Sequence, residues 1–163
     1  MRIPVHFLVL GTAATLVGGV AIAQRPDNQI LPRSVELQRQ GESLIAAGRY
    51  LEAEDSLETA LAVDPRNRSA FVDLARVADH QKLYGKAIRL ASKALDLEPN
   101  DLNALEIQGQ AMAELGAIPR AKDNLAKLQK LCTNGCPQVA ELSAAITRGP
   151  VVAEAKPETP KND

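Results

Sequence analysis

Ala53, Ala87 and Ala121 stand 34 residues apart in this chain, and so do Gly41, Ala75 and Gly109, and also Leu37, Phe71 and Leu105. A period of this length constrains the fold more than any composition. A unit of two short helices cannot bury its apolar face alone, so successive units must stack, each against its neighbours. Inside the first unit, Leu37, Gly41 and Leu44 recur at helical spacing, and Tyr50, Ala53, Leu57 and Leu61 do the same after a break at Gly48-Arg49. The spacing predicts helices over 34–47 and 50–63, and over 68–80 and 84–97 in the second unit. Small residues at Gly41, Ala53 and Ala60 allow the paired helices to approach closely, while Leu37, Leu44 and Leu57 fill the space beside them.

The units end alike. Leu61-Ala-Val-Asp-Pro65 and Leu95-Asp-Leu-Glu-Pro99 each close on a proline, which lacks an amide hydrogen and disfavours helix in the residue before it. Asp101 is suited to cap the helix that follows. The third unit drifts: Leu128 stands where a repeat alanine is expected, and Thr133 replaces the closing proline. Pro137 to Thr147 reads as a seventh helix, with proline in its first turn and Gly149 just past its end. It would cover the apolar edge of the last unit.

Residues 34–135 resemble three tetratricopeptide repeats. The likeness rests on Ala47-Gly48-Arg49-Tyr50-Leu51-Glu52-Ala53-Glu54 and on the endings Ala60-Leu61-Ala62-Val63-Asp64-Pro65 and Ala94-Leu95-Asp96-Leu97-Glu98-Pro99, in register. Departures are the absence of tryptophan, with Leu37, Phe71 and Leu105 in its usual place, and Gln40 and Gln108 where leucine is usual. The resemblance implies an all-α solenoid whose first helices line a concave, partner-binding face. Carried over, that face comprises Val35, Gln38, Glu42 and Ile45, then Ser69, Val72, Arg76 and Asp79, then Asn103, Glu106, Gln110 and Ala113. Some members of the family clamp a C-terminal carboxylate with Lys, Arg and Asn, but Gln38, Glu42 and Asp73 occupy most of those places here.

The ends differ from the middle. Ile3 to Ala23 carry no charge, follow Arg2 and finish on Ala21-Ile22-Ala23, the layout of a secretory signal peptide, with an uncleaved membrane anchor as the alternative. The expected organisation is therefore a signal peptide at 1–23, a linker at 24–33, repeats at 34–67, 68–101 and 102–135, a capping helix at 136–148 and a disordered tail at 149–163. Such a leader places the mature protein in the periplasm or outside the cell.

Little chemistry is on offer. Cleavage would leave His80 as the sole histidine and Tyr50, Phe71 and Tyr84 as the aromatic residues, so the core must be built from Leu, Ala, Val and Ile. The formal net charge of −1, without a Lys/Arg cluster, speaks against nucleic acid. No nucleophile-base pair, phosphate loop or four-ligand metal set is visible, so no catalytic residue and no cofactor are expected. Cys132 and Cys136 have three residues between them; in an exported chain their simplest reading is a disulfide, with free buried thiols or a redox or metal role as alternatives. The segment Leu131-Cys-Thr-Asn-Gly-Cys-Pro137 is also similar to the cysteine-bearing ends of small exported bacterial repeat proteins.

These observations lead to a non-enzymatic exported scaffold that binds a protein or peptide in its concave groove. A membrane-anchored subunit of an envelope complex is the second reading, and an enzyme with an unrecognised site the third. If the small-x-small ending directs cleavage, intact mass and amino-terminal sequencing of the exported protein should give Gln24 as the first residue; finding Met1 or Arg2 there would contradict it.

Overall fold

A computed structural model describes residues 29–150. The signal segment, the linker up to residue 28 and the tail from residue 151 lie outside the described residues. Among the described residues seven helices follow one another: α1 (Pro32–Ala46), α2 (Tyr50–Val63), α3 (Arg68–His80), α4 (Tyr84–Leu97), α5 (Leu102–Glu114), α6 (Ile118–Leu131) and α7 (Pro137–Arg148). Successive helices pack in antiparallel pairs, and the first helix of each pair also packs on the first helix of the next. The result is an all-α solenoid of three repeats closed by α7.

The expected helices are all present. The linker is shorter than expected, because α1 begins at Pro32: proline is suited to the first helical position, where its missing amide hydrogen costs no bond. Helix α1 also ends one residue early, and the chain turns within each repeat through one left-handed residue. Gly48 (φ 72°), Lys82 (φ 60°) and Gly116 (φ 77°) stand 34 residues apart and carry the same pair of backbone bonds. Arg49 N–H donates to Leu44 O at 2.9 Å, Leu83 N–H to Ala78 O at 2.8 Å and Ala117 N–H to Met112 O at 2.8 Å. Two turns use glycine, which adopts positive φ freely; Lys82 takes the same conformation against its preference.

The turns between repeats are held by side chains. Asn67 and Asp101, again 34 apart, cap α3 and α5 by accepting from the amides of Ala70 at 3.2 Å and Ala104 at 2.7 Å. Ser34, wholly buried, donates to Ala60 O at 2.7 Å and accepts from Asn67 Nδ2 at 2.9 Å, joining the start of α1 to the end of α2 and the start of α3. Asp64, 2 % exposed, accepts from Leu31 N–H at 2.9 Å and bonds Arg66; the Arg66 guanidinium holds its carboxyl down at about 2. In the third unit the position equivalent to the caps Asn67 and Asp101 is Gly135, and the Cys132–Cys136 disulfide joins the end of α6 to the start of α7 instead (Cα–Cα 5.8 Å).

Gln40 and Gln108 have different reasons. Their counterpart Leu74 is buried between repeats 1 and 2. Gln40 occupies the same place in the first repeat, where no repeat precedes it among the described residues, and it is exposed as a polar end face requires. Gln108 is buried but satisfied, donating to Ser92 Oγ at 2.9 Å and accepting from Asn124 Nδ2 at 2.9 Å. At the other end, Leu128 packs with Leu105 and Leu142, so the bulk added at the drifting repeat meets the capping helix.

Close approach is enforced by size. A Cβ at Gly41 would lie 2.5 Å from Leu57 Cγ, and one at Gly109 would lie 2.7 Å from Leu142 Cδ2. The second repeat meets the same spacing differently, with alanine at both 75 and 91, the counterparts of Gly41 and Leu57. Leu57 is fully buried and has no room to yield. Gly41→Ala should therefore lower stability by about 1 kcal/mol, overpacking outweighing the gain in helix propensity. In a Leu57→Ala background the same change should stabilise, since it recreates the alanine pair of repeat 2. Urea unfolding of the four proteins checks this, and an equal cost of Gly41→Ala in both backgrounds would contradict it.

Candidate functional site

The first helices α1, α3 and α5 lie side by side, with α7 next in line. Residues 35 positions apart therefore meet across neighbouring first helices. Gln38 Nε2 donates to Asp73 Oδ2 at 2.5 Å, and Gln138 Nε2 to Asn103 Oδ1 at 2.8 Å. Glu106 meets Glu141 by the same offset.

Six of the twelve residues expected on the concave face line one concavity of about 150 Å³: Gln38, Glu42, Ser69, Val72, Arg76 and Asn103, joined by Arg68, Asp73 and Asp101. Its floor is a set of paired charges. Asp73, 5 % exposed, takes Gln38 on one oxygen and Arg76 on the other at 3.0 Å, and Arg68 pairs with Asp101. Burial pushes the Asp73 carboxyl up, against the pull of Gln38 and Arg76.

The rest of the expected stripe is placed otherwise. Ala113 is fully buried, Ile45 packs on the core of the first repeat, and Val72 is buried with Ala75 and Ile107 although it borders the concavity. A first helix packs against both its own partner and its neighbours, which leaves a narrower free stripe than a three-four-three spacing suggests. Asn103 and Glu106 are engaged by α7 through Gln138 and Glu141, and Gln110 Nε2 donates to Glu106 Oε1 at 2.9 Å. Asp79 is half-buried near Glu114, and burial raises its carboxyl. Val35 is half-buried on α1 and does not border the concavity. Sequence reasoning named Asp73 at a clamp position but left Arg68, Asp101, Gln138 and Glu141 off the concave stripe; for the last two the signal was the repeat offset continued by one more unit into α7.

His80 is exposed and stacks on Tyr50 (ring centroids 4.8 Å apart), joining two repeats. Among the described residues no group of three or more His, Cys, Asp or Glu is arranged to hold a metal ion, and no helix is long and apolar enough to cross a membrane.

Residues 39–101 match the tetratricopeptide repeat family. Among solved structures, the chain is similar to the first tetratricopeptide domain of Spaghetti (RPAP3) bound to an HSP90 peptide, at 22 % identity and a TM-score of 0.65, covering 71 % of this chain and 92 % of that one. It is also similar to the first such domain of human RPAP3 (21 % identity, TM-score 0.64, 71 % and 94 % covered). A third is the Sgt2 domain from Aspergillus fumigatus (23 % identity, TM-score 0.65, 82 % and 90 % covered). At these identities the likeness is one of fold: an α-solenoid of tetratricopeptide repeats.

Burial, and then the neighbouring Glu141, push the Glu106 carboxyl up to about 8. A raised carboxyl contributes stability while it is protonated, so that contribution is whole below the ordinary value of 4.5 and is lost as pH rises through about 8. The urea midpoint should therefore fall between about pH 5 and 9, and Glu106→Gln, which mimics the protonated form, should flatten that fall. An unchanged slope in the variant would show that Glu106 is already ionised at neutral pH.

Proposed function

We propose that this chain, an α-solenoid of tetratricopeptide repeats, is an exported, non-enzymatic scaffold that holds a peptide segment of a partner protein along its concave face. The carrying observation is the polar concavity on α1, α3 and α5. There Gln38, Ser69 and Asn103 offer the hydrogen-bonding groups that an extended backbone needs. Solved neighbours of this fold include one bound to an HSP90 peptide. A chaperone-tail carboxylate does not suit this groove, because Gln38, Glu42 and Asp73 stand where the resemblance would require cationic and amide clamps. Glu42 is exposed, and Arg76 and Arg68 are already paired with Asp73 and Asp101, so the free charge of the concavity is negative. The preferred segment is neutral or basic.

The apolar leader at 3–23 supports export to the periplasm or beyond; retained, it would make the same scaffold a membrane-anchored subunit of an envelope complex. Photo-crosslinking residues placed at Glu42 and Ser69, and at Glu58 on α2 as a control, test the groove in the native envelope. The groove positions should capture one common partner and the control should not. Equal capture from Glu58 would place the partner elsewhere.

A further inference from the structure

One buried carboxylate orients two side chains at the floor of the concavity on α1, α3 and α5. Asp73 accepts from Gln38 Nε2 on Oδ2 at 2.5 Å and from Arg76 Nη1 on Oδ1 at 3.0 Å. An ionised carboxylate only accepts, so Gln38 must turn its amide nitrogen to Asp73 and keep its oxygen free. Gln38 Oε1 and the remaining N–H groups of Arg76 have no partner among the described residues. Neither is enclosed, because the buried side-chain atoms without a partner are Asp79 Oδ1 and Glu114 Oε2. Both side chains line the concavity of about 150 Å³. An acceptor and a donor therefore stand on either side of one carboxyl group, open to whatever enters.

Charge decides against an ionic group at this point of the groove. Arg76 would repel a lysine or arginine side chain laid beside it, and Asp73 and Glu42 would repel a carboxylate. What remains is a neutral group with one donor and one acceptor. A trans peptide unit points its N–H and C=O in opposite directions, so it offers only one of them to a single wall. A primary carboxamide presents an N–H and its oxygen from the same edge. We propose that Gln38 and Arg76, oriented by Asp73, form a subsite for the carboxamide of an asparagine or glutamine side chain in the peptide held in the groove. The ligand nitrogen donates to Gln38 Oε1 and its oxygen accepts from Arg76, leaving Ser69 and Asn103 to the backbone. This rests on the groove reading and adds a residue preference to it.

The test uses the protein as its cells process it, isotope-labelled for NMR, and three pentapeptides, Ala-Ala-X-Ala-Ala, with glutamine, methionine or lysine at X. Each is acetylated and closed by a methylamide, so that the glutamine side chain is the only primary carboxamide present. All three should move the backbone amide signals of Ser69 and Asn103, and the glutamine peptide alone should also move the side-chain signals of Gln38 and Arg76. It should bind about tenfold more tightly than the methionine peptide, the gain of two hydrogen bonds. Gln38→Met and Arg76→Met should each bring that ratio close to one. Neither strands Asp73, since each leaves it the other partner, and unchanged amide signals in α5 to α7 report an intact fold. Equal binding of the glutamine and methionine peptides, or tighter binding of the lysine peptide, would overturn the subsite; if Ser69 and Asn103 still move, the groove stands without it. No shift at any groove residue with any of the peptides would remove the groove reading and the subsite together.

Discussion

Everything in this molecule depends on how closely neighbouring helices approach. Glycine and alanine at the seams, Gly41 against Leu57, Gly109 against Leu142 and the buried alanines at 53, 60, 87, 91 and 94, remove the side-chain bulk that would hold the helices apart. With so few aromatic residues the core has no large plates to pack, and density comes from backbone proximity instead. That proximity sets the offset of 35 residues between adjacent first helices. The offset in turn decides which polar groups meet on the concave side.

The same geometry explains why the groove is partly self-satisfied. Gln38 reaches Asp73 and Gln138 reaches Asn103 because each first helix is laid against the next in one register. Helix α7 obeys that register although it has no second helix after it among the described residues. It is both the lid over Leu105 and Leu128 and the last rung of the groove. The disulfide at its start and the Arg148–Glu114 pair near its end hold it at both extremities. Closing so short a loop contributes roughly 2 kcal/mol on the chain-entropy account, a modest gain concentrated where the repeat pattern has lost its proline and its side-chain cap.

The fold was legible in the sequence because periodic features repeat a physical requirement: small residues at the seams, prolines between units and a left-handed turn within them. The helix ends came out close for the same reason, and Asp101 does cap α5. Pro32 was missed because the repeat pattern starts after it, and Lys82 because a non-glycine at positive φ leaves no compositional mark. The site was less legible. A stripe read from one helix in isolation includes Ala113 and Ile45, whose burial depends on helices distant in sequence. Gln40 and Gln108 show the same limit: identical residues 68 positions apart are exposed in one case and buried in a bonded network in the other.

The central claim is that α7 belongs to the solenoid as its last rung and is not an appended helix. Amide hydrogen exchange under native conditions tests this most directly, because it reports the opening free energy of each helix separately. The account predicts that the inner amides of α7, around Leu142 and Ala145, exchange with the same opening free energy as those of α5 and α6. Exchange of α7 at the rate of a frayed end, while α3 to α6 stay protected, would contradict it.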